Sequence, residues 1–293
     1  MKATVFKGAC TAMYTPFDGN SINYESAERQ IEFQIKNGIS ALLALGTTGE
    51  PCTVTDKERR EFILFTVNKV HGRVPVIVGC GSNCTARALS MAEEAKELNA
   101  DAVLSVTPYY NKCTQKGLIK HFAKICESDI PVILYNVPSR TCVNIEPDTL
   151  KELVAIKNVA GLKEASPDAE HIRRVAEICK GNIALYSGND GNNVLFYSLG
   201  ASGAISVASN IIPYEIGDIY NDYANKFIKN AENKQTKYES LYKALFIEVN
   251  PIPVKAMAEL MGFDPGEPRL PLTVIEEEHK RKIIEILDSF KLI

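Results

Sequence analysis

The residues best suited to chemistry sit at the ends of short apolar runs. Lys163 closes the run Val159-Ala160-Gly161-Leu162. An ammonium at the mouth of an apolar fold loses solvation, which favours the free amine as a nucleophile. A lysine so placed suits a Schiff base with a carbonyl substrate, and pairing with a carboxylate such as Glu164 is the alternative. Tyr135 ends another apolar run, where a phenol can relay a proton beside an amine or be simply a buried tyrosine with a satisfied hydroxyl. Thr47 and Thr48 lie between Gly46 and Gly49. Such a loop offers backbone N–H groups and hydroxyls to a carboxylate or phosphate, and also reads as a plain turn with a helix cap. Arg140 follows Pro138 in a further loop, where its bidentate fork suits a substrate carboxylate or a surface salt bridge. The pair Tyr109-Tyr110 is compatible with core, interface or catalysis. Cys52, Cys113 and Cys142 lie near these loops without a histidine partner in the sequence and read as structural.

Eight apolar runs must position these residues: Ala9–Tyr14, Ala41–Leu45, Pro75–Gly79, Ala102–Val106, Pro131–Tyr135, Val159–Lys163, Ile183–Ser187 and Gly203–Ala208. Each is too short for a helix and nearly continuous rather than alternating, as parallel strands buried on both faces are. Helical stretches alternate with them. Tyr24–Asn37 ends at Gly38, and Thr55-Asp56-Lys57-Glu58 is a capping box opening a helix to about Val70. Thr85–Leu98 and Gln115–Glu127 are amphipathic. Pro147 and Pro167 stand where a first helical turn welcomes proline, the second before Asp168–Lys180. The runs recur about every 28 residues, which predicts an α/β fold of the (β/α)₈ TIM-barrel type. An open doubly wound sheet is the second choice, disfavoured by the missing G-x-G-x-x-G after the first run. The eighth helix should run from Pro213 to Lys229. Helices are then expected at Ala231–Glu248, Pro253–Met261 and Thr273–Ser289, the last opened by the capping box Thr273-Val274-Ile275-Glu276. This divides the chain into a barrel over 1–229, carrying the active site, and a C-terminal helical extension over 230–293.

The 293 residues can bury a large core without staples. Net charge is −3, from 33 Lys+Arg against 36 Asp+Glu, which argues against a nucleic-acid partner. The eight cysteines form no C-x-x-C pair and the four histidines are scattered, so reduced thiols and no metal site are expected. With no signal peptide and no run near the ~20 apolar residues of a membrane span, a cytoplasmic protein without membrane partner is expected. In a (β/α)₈ fold the chemistry lies at the C-terminal strand ends. An amine, a phenol, a hydroxyl loop and an arginine gathered there, with no cofactor motif, suggest Schiff-base chemistry on a small oxo-acid.

The segments Gly46–Glu50, Thr107–Asn111, Tyr135–Thr141, Gly161–Ala165 and Asn250–Lys255 resemble the dihydrodipicolinate synthases, pyruvate-dependent class I aldolases, almost end to end. The resemblance implies that Lys163 condenses with pyruvate and that the enamine attacks aspartate-4-semialdehyde, giving 4-hydroxy-tetrahydrodipicolinate at the entry to diaminopimelate and lysine synthesis, with no cofactor. It implies a proton relay of Tyr135, Thr47 and Tyr110, the last reaching into a neighbouring subunit's site, so that a dimer is essential and a homotetramer the usual assembly. It gives the pyruvate carboxylate to the backbone of Thr47 and Thr48, the second carboxylate to Arg140, and a place in the pocket lining to Gly188 and Ile205.

Lysine-inhibited relatives carry acceptor side chains at a dimer-interface site. Asn83 and Tyr109 are kept here, but Arg87 and Arg59 stand in place of a glutamate and a histidine, so a cationic ligand should be disfavoured and lysine inhibition weak or absent. N-acetylneuraminate lyases and 2-keto-3-deoxy sugar-acid aldolases would share Lys163, Tyr135 and the Thr loop, and a non-catalytic barrel binding an oxo-acid is a further alternative. The Ser139-Arg140-Thr141 segment favours a carboxylated aldehyde over a polyol.

Overall fold

The computed structural model describes residues 2–293. Eight strands, β1 (Gly8–Ala12), β2 (Ala41–Ala44), β3 (Val76–Gly79), β4 (Ala102–Val106), β5 (Val132–Asn136), β6 (Val159–Glu164), β7 (Ala184–Ser187) and β8 (Gly203–Ser206), close into an all-parallel barrel. Each pairs with its sequence neighbours, and β8 closes on β1 through Cys10↔Ile205. The continuous apolar runs reflect two hydrophobic surfaces. Val132, Leu134 and Leu162 face the helices, while Ile133, Tyr135, Leu43 and Ile205 belong to an inner core. Each fully buried aliphatic side chain contributes about 1.5–3 kcal/mol, and the strands bury such side chains on both faces.

One helix follows each strand: α1 (Tyr24–Lys36), α2 (Asp56–Val70), α3 (Thr85–Glu97), α4 (Gln115–Ile125), α5 (Pro147–Leu153), α6 (Ala169–Cys179), α7 (Asn193–Ser198) and α8 (Pro213–Ala224). The Thr55 capping box forms on α2, with Glu58 N–H donating to Thr55 and Thr55 N–H to the Glu58 carboxylate. Pro147 opens α5 as expected. Pro167 does not open α6. Asp168 caps that helix by accepting from the Glu170 and His171 amides, which leaves the proline outside the first turn. Four further helices follow: α9 (Ile228–Lys237), α10 (Glu239–Ala244), α11 (Ile252–Leu260) and α12 (Glu277–Ser289).

The expectation for the tail needs correction. The helix from Pro213 stops at Ala224, and the stretch expected as one helix over Ala231–Glu248 breaks at Tyr238 into α9 and α10. The Thr273 capping box does not form. Glu276 is the N-cap of α12, and its amide is taken by the carboxylate of Glu248 at 2.9 Å, a stronger acceptor brought in by tertiary packing. A two-stranded hairpin, Phe17–Asp18 with Ser21–Ile22, is additional, and the seventh of the eight barrel helices, α7, is only six residues long.

Candidate active site

Register decides which side chains meet at the barrel mouth. Tyr135 on β5 pairs with Lys163 on β6, and Lys163 with Tyr186 on β7. Alternation along β6 turns Lys163 inward and Glu164 outward. The Lys163 ammonium lies 4.4 Å from the centroid of the Tyr135 ring, and the residue is 5% exposed. No carboxylate lies within 4.0 Å of it among the described residues, so the alternative of a Lys163–Glu164 pair does not hold. Glu164 points toward α6, where it accepts from Asn136 Nδ2 at 2.9 and 3.1 Å and from the Ser166 amide at 2.5 Å, and faces His171 Nε2 at 3.5 Å. That contact holds the His171 pKa above the ordinary imidazole value.

Below this layer the barrel is plugged. Tyr186 stacks on Phe6 at 4.4 Å, and its hydroxyl donates to the Phe6 carbonyl. Gly161 makes room for that ring, since a Cβ there would lie 3.0 Å from Tyr186 Cε2. Above it opens a cavity of about 680 Å³ lined by Lys163, Tyr135, Thr47, Thr48, Arg140 and Gly188, among others. Thr47–Gly49 forms a single 3₁₀ turn after β2. Arg140 rides on a four-residue helical turn, Pro138–Thr141, pinned by a hydrogen bond from Thr107 to Thr141. It makes no ion pair among the described residues, so the surface salt bridge weighed for it is not formed. Gly188 is obligatory: a Cβ there would sit 2.8 Å from Ala165 Cβ, 2.9 Å from the Glu164 carbonyl and 3.2 Å from Lys163 Cε. The arrangement is an inward amine and a phenol at the floor of a polar-rimmed pocket.

Residues 5–290 match the sequence model of the dihydrodipicolinate synthetase family. A 4-hydroxy-tetrahydrodipicolinate synthase of a Thermoanaerobacter species is 46% identical over 291 residues, 99% of this chain and 98% of that protein. The dihydrodipicolinate synthase of Thermotoga maritima superposes with a TM-score of 0.97 at 41% identity, covering 99% of this chain and 100% of that one. A dihydrodipicolinate synthase from Acinetobacter baumannii, solved complexed with pyruvate, gives 0.96 at 36% identity over 99% and 100%.

The chain belongs to the dihydrodipicolinate synthetase family. It is a lyase of the class I aldolase type.

Two of the residues singled out in this family member stand apart from the cavity. Tyr110 is 90% exposed, with φ +70°, and does not line the pocket of its own chain. Ile205 is buried in the inner core one layer down, and Val207, just past the end of β8, lines the cavity instead. The strand ends alone do not reveal the wall contributed by the C-terminal segment: Phe246, Glu248, Val249 and Asn250 all line the cavity. The signal for it in the sequence is the segment Asn250–Lys255, one of the stretches that carry the resemblance. A second cleft of about 320 Å³ shares Thr47 and Tyr135 with this cavity and is lined further by Arg59, Asn83, Arg87 and Tyr109. Arg59 pairs with Glu94 at 3.1 Å and donates to the Gly79 carbonyl, while Arg87 pairs with Asp56 at 2.7 Å. Among the described residues no cluster of three or more His, Cys, Asp or Glu is arranged for a metal, all eight cysteines are free thiols, and no helix is long and apolar enough to cross a membrane.

Proposed function

We propose that this chain condenses pyruvate with aspartate-4-semialdehyde to give 4-hydroxy-tetrahydrodipicolinate, with Lys163 as the nucleophile. The observation that carries the reading is a buried lysine, free of any carboxylate, set against a tyrosine at the floor of a cavity that also holds the Thr loop and Arg140. The Lys163 amine adds to the pyruvate keto carbon, and loss of water gives an imine. Loss of a methyl proton gives the enamine, whose carbon attacks the aldehyde, and the aldehyde oxygen takes a proton to become the hydroxyl. The amino group of the second substrate then displaces Lys163 from the imine carbon, closing the ring and restoring the amine. Backbone amides of Thr47 and Thr48 hold the pyruvate carboxylate. Arg140 holds the carboxylate of the aldehyde, a task its planar fork performs bidentately. Tyr135 and Thr47 move the protons together with the partner subunit's Tyr110, which accounts for a large aromatic ring left exposed on one chain. The working assembly is then a homodimer at least, with a tetramer built from two dimers.

Lysine is a poor inhibitor in this reading. The reason differs from the one the sequence suggests. Arg59 and Arg87 are each neutralised by a carboxylate, so the cleft is not strongly cationic. Asp56 and Glu94 already face these arginines, so an incoming ammonium meets only carboxylates shared with a cation.

The test is a coupled assay with dihydrodipicolinate reductase and aspartate-4-semialdehyde, run beside the aldehyde substrates of the sugar-acid aldolases. Turnover of aspartate-4-semialdehyde, lost mainly through a raised KM in Arg140→Ala, supports the reading. Faster turnover of a polyol aldehyde would contradict it.

A further inference from the structure

The cavity's carboxylate-facing loop does not stand by itself. Thr47–Gly49 is one turn of 3₁₀ helix, too short to fix its own amides, and Glu50 beyond it adopts the left-handed conformation at φ +52°. Two side chains from the segment leading into and forming α11 brace this loop, Asn250 from the cavity wall and Lys255 from the α11 side. Asn250 Nδ2 donates to Thr48 Oγ1 at 3.0 Å, both residues being buried. Lys255 Nζ lies 2.7 Å from Glu50 Oε1, with the two side chains 2% and 1% exposed. The second Glu50 oxygen accepts from the Arg269 amide at 2.9 Å. The Phe17 ring holds the lysine ammonium at 4.2 Å and the Arg269 guanidinium at 4.1 Å from its centroid. Arg269 in turn forks onto Glu58 and donates to the Thr53 carbonyl, which returns the chain of contacts to the start of α2.

A buried ion pair is weak evidence for stability, because desolvation offsets most of its attraction. Its value lies in geometry. Both charges must remain in contact, so the backbone that carries Glu50 is fixed relative to α11. We propose that Asn250 and the Lys255–Glu50 pair are positioning residues for the keto-acid carboxylate: they hold the Thr47–Gly49 turn so that its amides face the cavity, making the C-terminal segment part of the pyruvate-binding apparatus. The inference rests on the proposed function for the identity of the ligand held by that turn.

Removing one partner of the pair would strand a buried charge, so the test uses Asn250→Ala, Thr48→Val, their combination, and the uncharged double replacement Glu50→Gln with Lys255→Met. Each folded variant is titrated with pyruvate. The readouts are the concentration giving half-maximal borohydride-trapped adduct, and the KM of both substrates beside kcat. The expected result is a rise of about tenfold or more in the pyruvate requirement, equivalent to about 1.4 kcal/mol, with the aldehyde KM changed less than about twofold. Asn250→Ala and Thr48→Val should be non-additive, because they break one hydrogen bond. A merely structural role would lower kcat through a smaller folded fraction and leave the pyruvate KM alone, and that result overturns the inference. If the uncharged double replacement does not fold, the Asn250–Thr48 cycle alone decides: additive effects, or wild-type pyruvate affinity, overturn it. Wild-type protein that forms no adduct would remove the proposed function itself, a failure distinguishable from an adduct that forms equally well in the variants.

Discussion

Lys163 and Tyr135 occupy facing positions on adjacent strands, and what each can do depends on where strand alternation points it. The sequence placed both at strand ends, and that was enough to expect them together. It left the Lys163–Glu164 pairing open, because the period of two along β6 becomes visible only when the barrel shows which face is inward. Tyr135→Phe should keep the fold and lower kcat by about 10²–10⁴-fold, the range of a lost general acid–base group, checked by steady-state rates beside a circular-dichroism spectrum. Gly188→Val should lower both activity and stability, since its side chain would meet the Glu164 carbonyl and Ala165 Cβ as well as Lys163 Cε; rates and thermal midpoints together test this. The role of Gly188 came from resemblance alone, because a glycine after a strand carries no sign that its missing Cβ is what a neighbouring lysine needs.

The elements were legible wherever burial dictated composition. All eight strands and the helix capped by Thr55 follow from their residues, and Thr55→Ala should cost about 0.5–2 kcal/mol in denaturant unfolding. The elements misread were those set by tertiary contacts. Thr273 lost its capping role to the Glu248 carboxylate, and Asp168 took the cap that Pro167 appeared to open. α7, implied by the eightfold repeat, is six residues in an Asn-rich stretch that carries no mark of its bounds. On the outer side of β5 and β6, Asn136, Glu164 and His171 form a buried knot behind the two candidate catalytic residues. His171 has its pKa raised, chiefly by Glu164, so its stabilisation is complete below the unfolded imidazole value and is lost as pH rises through the folded one. His121 behaves oppositely. Burial pushes it down to about 4, so its neutral form is favoured above about 6.5 and that contribution is lost as pH falls toward 4. Urea midpoints across pH should therefore decline on both sides of a neutral maximum. His171→Asn should flatten the alkaline limb and leave the acid limb in place. An unchanged alkaline limb would contradict the assignment.

At the scale of the molecule, closure of the sheet brings Lys163, Tyr135, the Thr turn and Arg140 to one mouth, and residues after 245 supply the rest of the wall. That last contribution was hidden from a strand-by-strand reading because it arises from chain wrapping back over the barrel, some 200 residues from the loop it touches, as Asn250 and Thr48 illustrate. The same packing carries the lysine prediction: millimolar L-lysine should leave the rate nearly unchanged, and strong inhibition in a titration would show that the Arg59 and Arg87 pairs open readily. Behind these predictions stands one claim, that a single buried amine forms the covalent link to the keto acid. Incubation with pyruvate and borohydride, followed by intact-mass and peptide analysis, tests it. One reduced pyruvate per chain is expected, attached to Lys163, with activity lost in proportion and no adduct in Lys163→Ala. An adduct on another lysine, or full activity in Lys163→Ala, would contradict it.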